Sequence, residues 1–207
     1  MYPVYHRAVT TQVLGGYFAP RALERILAAN LRQDYPLGQI GHHEYHFDHN
    51  AFPQGWAYIE RNRARVRPAL EAGHPARAWA ALGRLTHAAQ DLYAHSNYVP
   101  LWLARYAEEN TPPPEAIDPF DEELLHSPAL RSGKVYYLFE FLSVLPVLRD
   151  FAKSRLPHDA HAWMNLDKPE RGPLFAYALT AAAKRTEFEY RQTVRGLSPE
   201  ALAIFHG

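Results

Sequence analysis

The chain has 207 residues, and its 22 Lys+Arg balance 22 Asp+Glu, so the formal net charge is zero with histidine neutral. That size suits one domain with a full core, and 47% hydrophobic against 21% charged residues excludes the disordered class. Balanced charge argues against the basic footprint of a non-specific nucleic-acid binder, and the absence of cysteine excludes disulfides, thiolate metal sites and a cysteine nucleophile.

Apolar residues recur at helical spacing along nearly the whole sequence, and no segment alternates long enough to make a strand, which predicts an all-α, multi-helix bundle. The first 18 residues lack the basic start and apolar core of a secretory signal, and Met1 reads as an initiator. No stretch reaches the roughly 18 apolar residues of a membrane span, so no span and a cytoplasmic location are expected. A first helix is predicted from Val4 to Leu14, stopping at Gly15-Gly16. A second opens at Pro20 and carries Leu23, Ile26, Leu27 and Leu31 on one stripe. Residues 34–53 hold prolines, glycines, four histidines and two aspartates and read as a long functional loop. Helices follow over Trp56–Glu71, Ala76–Asn97 and Leu101–Glu108, and Pro112-Pro113-Pro114 then enforces an extended connector. Residues 110–133, rich in proline and acid, are the candidate lid over the site. Val135–Phe151 is apolar enough for a buried central helix kinked at Pro146. A long helix from Gly172 to Val194 and a short one capped by Ser198 complete the chain, read as a single domain over residues 1–207.

Histidine is the unusual component, with 12 copies in 207 residues. It is the commonest metal ligand and the usual general base. Scatter over an exposed surface is the alternative, so position decides. On the fourth helix His87, Asp91 and His95 stand at i, i+4 and i+8, where each step of four turns the side chain by only about 40°. All three project from one face, with small Ala88, Ala89 and Ala94 beside them. Two imidazoles and a carboxylate on a rigid face make a platform for a borderline ion such as zinc, held by nitrogen and oxygen. A solvated polar stripe is the competing reading, although Lys, Glu or Arg would be the usual residues for it.

The loop from Asp34 to Asn50 adds His42, His43, His46, Asp48 and His49. A first coordination sphere takes three or four protein ligands, so some of His42, His43 and His49 stand outside it. His6 on the first helix reads, alone, as a surface or capped histidine. His158, Asp159, His161, Asn165 and Asp167 form a further cluster in which Asp159 can instead be an N-cap. Glu187 is an extra candidate on a helix whose glutamates are ordinarily solvated.

The run GRLTHAAQDLYAHSNYV resembles the His-x3-Asp helix of the zinc-dependent phospholipase C and P1/S1 nuclease superfamily, above all its bacterial Het-C-like branch. His6, Asp34, His46-Phe47 and the stretch His161-x2-Met-Asn165-Leu-Asp167 are similar to further motifs of that family, in the same order. The resemblance implies a helical bundle of that type with a cleft holding one to three zinc ions. It implies Asp91 as the bridging carboxylate with His6 on one side, Asp34, His46 and His87 around a second ion, and His95 with His161 around a third. Asp34 would be the general base. The chain departs from the family in beginning Met1-Tyr2 rather than with Trp. It also has Asn165 where the family has Glu, leaving Asp167 or Glu187 to be recruited, and it lacks an appended membrane-binding domain.

The function expected from these residues is a zinc-dependent phosphoester hydrolase, phospholipase C-like or nuclease-like, in which metal-activated water attacks an ester of a small molecule or lipid head group. Zero net charge disfavours a long nucleic acid. Arg84 and Lys134 are candidate phosphate contacts or plain surface charges, and Tyr93, Tyr98, Trp102 and Trp163 are pocket walls or core. A helical metal-binding protein without turnover, serving structure or interaction, is the alternative from another class. A third reading makes His87 and Asp91 a metal-free buried pair. Substrate, ion count and oligomeric state are not legible in the sequence.

Overall fold

The computed structural model describes residues 1–136, 142 and 154–207. Its principal helices are α1 (Pro3–Leu14), α2 (Pro20–Leu31), α3 (Phe52–Glu71), α4 (Pro75–His95), α5 (Tyr98–Leu103), α6 (Leu174–Val194) and α7 (Pro199–His206). Among the described residues the only β pairings are two isolated bridges, Ser96 with Ser132 and Lys134 with Ala160. The fold is all-α.

Proline opens α1, α2, α4 and α7 in the first turn, where a missing N–H costs nothing and its fixed φ suits the helix. Ser198 caps α7 by accepting from the Ala201 amide. Helix α3 starts at Phe52, before the expected Trp56, because Pro53 fits its first turn. The helix expected at 101–108 instead runs over Tyr98–Leu103, with Pro100 accommodated in the first turn, whose amides have no intrahelical acceptor.

Helices α2, α3 and α6 pack around α4. From Leu85 to Ser96 every residue of α4 and its C-terminal boundary is buried. Leu82, Leu85 and Leu92 are wholly covered, each contributing about 1.5–3 kcal/mol by leaving water. Close approach of α2 rests on Gly83, where a Cβ would stand 2.2 Å from the Ile26 carbonyl oxygen. The expected central helix at 135–151 lies outside the described residues except for Val135, Tyr136 and Leu142.

Residues 110–133, expected as a lid, are tied to the bundle. Tyr93 and Tyr98 hydroxyls donate to the carbonyls of Pro119 and Asp118, Tyr177 donates to Pro112, and the Lys184 ammonium donates to Glu115 and Ile117. The far end of this strap reaches α4: the Gly133 amide donates to the His95 carbonyl at 2.9 Å.

Candidate metal centre

Helix α4 carries His87, Asp91 and His95 on one buried face, as the spacing predicts. Around that face stand His6 from α1, Asp34 from the 3-10 turn Arg32–Asp34, His46 from a one-turn helix (His43–His46), Asp48, His161 and Asp167. His46 and Asp48 come from one local device. Phe47 between them has φ 56°, the left-handed region, so the flanking side chains turn toward the same centre. The wholly buried Phe47 ring lies over Gly55, where a Cβ would meet it at 2.6 Å, and packs edge-on to Trp56 at 5.1 Å. His49 and Asn50 also take positive φ. Asn50 exchanges hydrogen bonds with Ser132, its amide donating to the Ser132 hydroxyl and its Oδ1 accepting from the Ser132 amide. Three non-glycine residues of positive φ in four positions cost of order 1–3 kcal/mol each, which anchoring at Phe47 and Ser132 offsets.

Three overlapping groups of ligand-type atoms result: His6, Asp34, His87 and Asp91; His46, Asp91 and His95; and Asp48, His95 and His161. In the first, Nε2 of His6 is 3.1 Å from Asp91 Oδ1 and 4.0 Å from Asp34 Oδ2. Nε2 of His87 is 3.1 Å from Asp91 Oδ2 and 3.6 Å from Asp34 Oδ1. In the second, His46 Nδ1 is 2.9 Å from Asp91 Oδ2 and His95 Nε2 is 3.6 Å from Asp91 Oδ1. Asp48 Oδ1 is 3.4 Å from His95 Nδ1 and 3.0 Å from His161 Nδ1. Ligands about 2.0–2.2 Å from a tetrahedral ion stand roughly 3.3–3.6 Å from one another. The first group has the separations of such a cage, and Asp91 is common to it and the second.

Free valences point the same way. Two buried polar atoms without a hydrogen-bond partner, His6 Nε2 and Asp34 Oδ2, face this centre, whereas the unpartnered His46 Nε2 and His87 Nδ1 are the ring nitrogens opposite those that face Asp91. The Gln90 amide donates to the hydroxyls of Thr10 and Thr186 at 3.0 Å each, so its oxygen faces His6 Nδ1 at 2.6 Å as an acceptor. This places the His6 proton on Nδ1 and leaves the Nε2 lone pair facing the two carboxylates, the outer-sphere orientation of a metal-ligating histidine. His95 Nδ1 likewise faces the His46 carbonyl at 3.0 Å.

The electrostatics are those of buried carboxylates drawing in positive charge. Burial resists ionisation of Asp91, yet His95, the Met1 ammonium, His6 and His87 hold its pKa well below the usual carboxylate range. Burial is likewise outweighed at Asp48 by His161 and His95, and at Asp167 by Met1 and His95. His95 is pushed up to about 9: burial works against its charge, and Asp91 and Asp48 prevail. His87, by contrast, is pushed down to about 4 by burial and by His6. The Met1 amino group lies 2.5 Å from Asp91 and 2.9 Å from Asp167; burial opposes its charge, but Asp167 and Asp91 raise its pKa to about 11. Three carboxylates thus gather protons and an ammonium, the charge a divalent cation supplies in exchange.

The ligand-type residues expected from the sequence, His6, Asp34, His46, His87, Asp91, His95, His161 and Asp167, all line this centre. Their grouping differs from the one the resemblance implied. His87 faces both Asp34 and, at 3.2 Å, His46, while Asp167 faces His95, His161 and Met1. Asp48 joins them from the same loop; its signal in the sequence is its place two residues after His46. Glu187 is elsewhere, accepting from Tyr17 and Arg191, and Asn165 donates to the His161 carbonyl. His42 stacks on Tyr45, the His43 ring lies 4.0 Å from the His49 ring and tilted to it, and His49 Nε2 accepts from the Val135 amide. Lys134 pairs with Asp159.

The family model described as the VWA7 N-terminal domain matches residues 4–119, more than half of the chain. No curated protein and no solved structure matches. The resemblance to the zinc-dependent phospholipase C and P1/S1 nuclease superfamily is therefore corrected: the matching family is a different one. A His-x3-Asp-x3-His stripe follows from helix geometry and ligand chemistry, and so specifies a platform rather than a lineage. The matched segment carries every ligand-type residue from His6 to His95, and the chain belongs to the VWA7 N-terminal domain family.

Proposed function

We propose that this VWA7 N-terminal domain holds two or more divalent ions, zinc by preference, and hydrolyses a phosphoester with them. The observation that carries the reading is Asp91, wholly buried and common to two groups of ligand-type atoms, with Oδ1 facing His6 and His95 and Oδ2 facing His46 and His87. A carboxylate shared between adjacent nitrogen-oxygen sites is the arrangement of paired-metal hydrolases. Nitrogen and oxygen ligands at near-tetrahedral separations favour a borderline ion.

When bound, the ions supply water of lowered pKa and offset charge on a phosphoryl group. Asp34 has one oxygen without a hydrogen-bond partner and a side chain 10% exposed, so it is the carboxylate suited to take a proton from water at the edge of the cluster. His6, His87 and Asp91 are wholly buried and keep the inner cluster dry. His161, 18% exposed, marks the other accessible edge. Small phosphoesters or lipid head groups fit a neutral chain better than a long nucleic acid.

Complete burial of His6, His87 and Asp91 also favours a second reading, an ion that fastens α1 to α4 without turnover. Hydrolysis of bis(p-nitrophenyl) phosphate by zinc-loaded protein separates the two. Turnover that is lost on chelation and restored by zinc supports the hydrolase; metal binding without turnover on this and a short-chain phospholipid supports the structural ion.

A further inference from the structure

Beside the metal centre, and built from different side chains, lies a cleft of about 670 Å³ between α2, α3 and the N-terminal half of α4. Arg25, Arg32 and Arg84 line it, with Tyr35, Tyr45 and Tyr58, and its lining contains no carboxylate. None of the three arginines is ion-paired among the described residues. Arg84 is the informative one. It is half-buried, and its side chain meets a neutral partner, Nε donating to Asn62 Oδ1 at 2.9 Å. Burial and the charge of Arg65 both disfavour its protonated form. A guanidinium taken out of water without an anion is costly, and an anion bound in the cleft would offset that cost. Arginine presents a planar fork of donors that matches phosphoryl oxygens two at a time.

The apolar side of the cleft has its own chemistry. Tyr45 and Tyr58 rings lie 4.4 Å apart, and Ala28, Ala29, Ala76 and Ala80 leave a smooth wall of small side chains. Such a volume is typical of small-molecule pockets. We propose that this cleft binds a small organic phosphate, its phosphoryl group held by Arg25, Arg32 and Arg84 and its flat apolar body lying against the tyrosines and the alanine wall. Gln33 and Tyr35 in the lining flank Asp34, and Tyr45 precedes His46, so the occupant abuts the backbone that carries two metal-centre residues. Binding does not depend on the metal.

Calorimetric titration of the full chain with phenylphosphonate, which has no hydrolysable ester, tests the site. Chelated and zinc-loaded protein are compared, with inorganic phosphate and benzyl alcohol as separate titrants. Phenylphosphonate is expected to bind chelated protein saturably and about tenfold or more tighter than either partial ligand, a factor worth about 1.4 kcal/mol. The R25Q/R32Q double variant alters exposed side chains outside the packed core and is expected to weaken binding about tenfold or more with metal content unchanged. R84Q is expected to weaken it at least as much. Absence of saturable binding, or an unaltered R25Q/R32Q variant, overturns the site; equal binding of benzyl alcohol overturns the role of charge. Binding seen only in zinc-loaded protein assigns the anion to the metal centre and removes the cleft, leaving the hydrolase reading intact.

Discussion

Asp91 offers Oδ1 to Met1, His6 and His95, and Oδ2 to His46 and His87. An amide of the same shape cannot serve both sides with negative charge, so Asp91→Asn is expected to lower metal affinity by about 100-fold or more and abolish turnover. Equilibrium dialysis against zinc reads this directly; full retention of metal would refute the shared role. Phe47→Ala removes a wholly buried ring and the anchor of the turn that carries His46 and Asp48. It is expected to cost about 3–5 kcal/mol in urea unfolding and to weaken metal binding as well. At this scale His87, Asp91 and His95 were readable because helical spacing alone places them together. Asp48 was not, because its direction depends on a left-handed residue at Phe47 that no periodicity announces.

Helix α2 meets α4 at Gly83, and α2 runs directly into the turn that presents Asp34. In a solvated helix Gly→Ala stabilises by about 1 kcal/mol. Here the added methyl meets the Ile26 carbonyl oxygen, so Gly83→Ala is expected to destabilise by about 1–3 kcal/mol and to loosen metal held at Asp34. A rise in unfolding midpoint would contradict this packing. The long helices were legible because proline and serine mark their starts and apolar stripes their faces. Helix α5 starts three residues before the expected Leu101, with Pro100 in its first turn. The strap over 110–133 reads as a lid from composition, since its anchors are tyrosine hydroxyls and Lys184 on distant helices.

Over the whole molecule, ligand-type residues from both ends of the chain converge on α4, His6 from the first helix and His161 and Asp167 from beyond residue 160. No helix among the described residues is long and apolar enough to cross a membrane. A cation joining these segments stabilises the bundle by mass action, about 4 kcal/mol at a thousandfold excess over Kd. At this chain length a kcal/mol is worth about 2–4 °C, so chelation is expected to lower Tm by roughly 8–16 °C, reversibly on adding zinc. An unchanged midpoint would mean that the ion does not bridge the helices. Family membership was the part the sequence motifs misdirected, since ligand spacing reports coordination chemistry and leaves ancestry open. The most direct test is elemental analysis of protein purified without chelator or nickel affinity. Two or more divalent ions per chain, chiefly zinc, are predicted; no bound metal, with none taken up on titration, would contradict the metal centre.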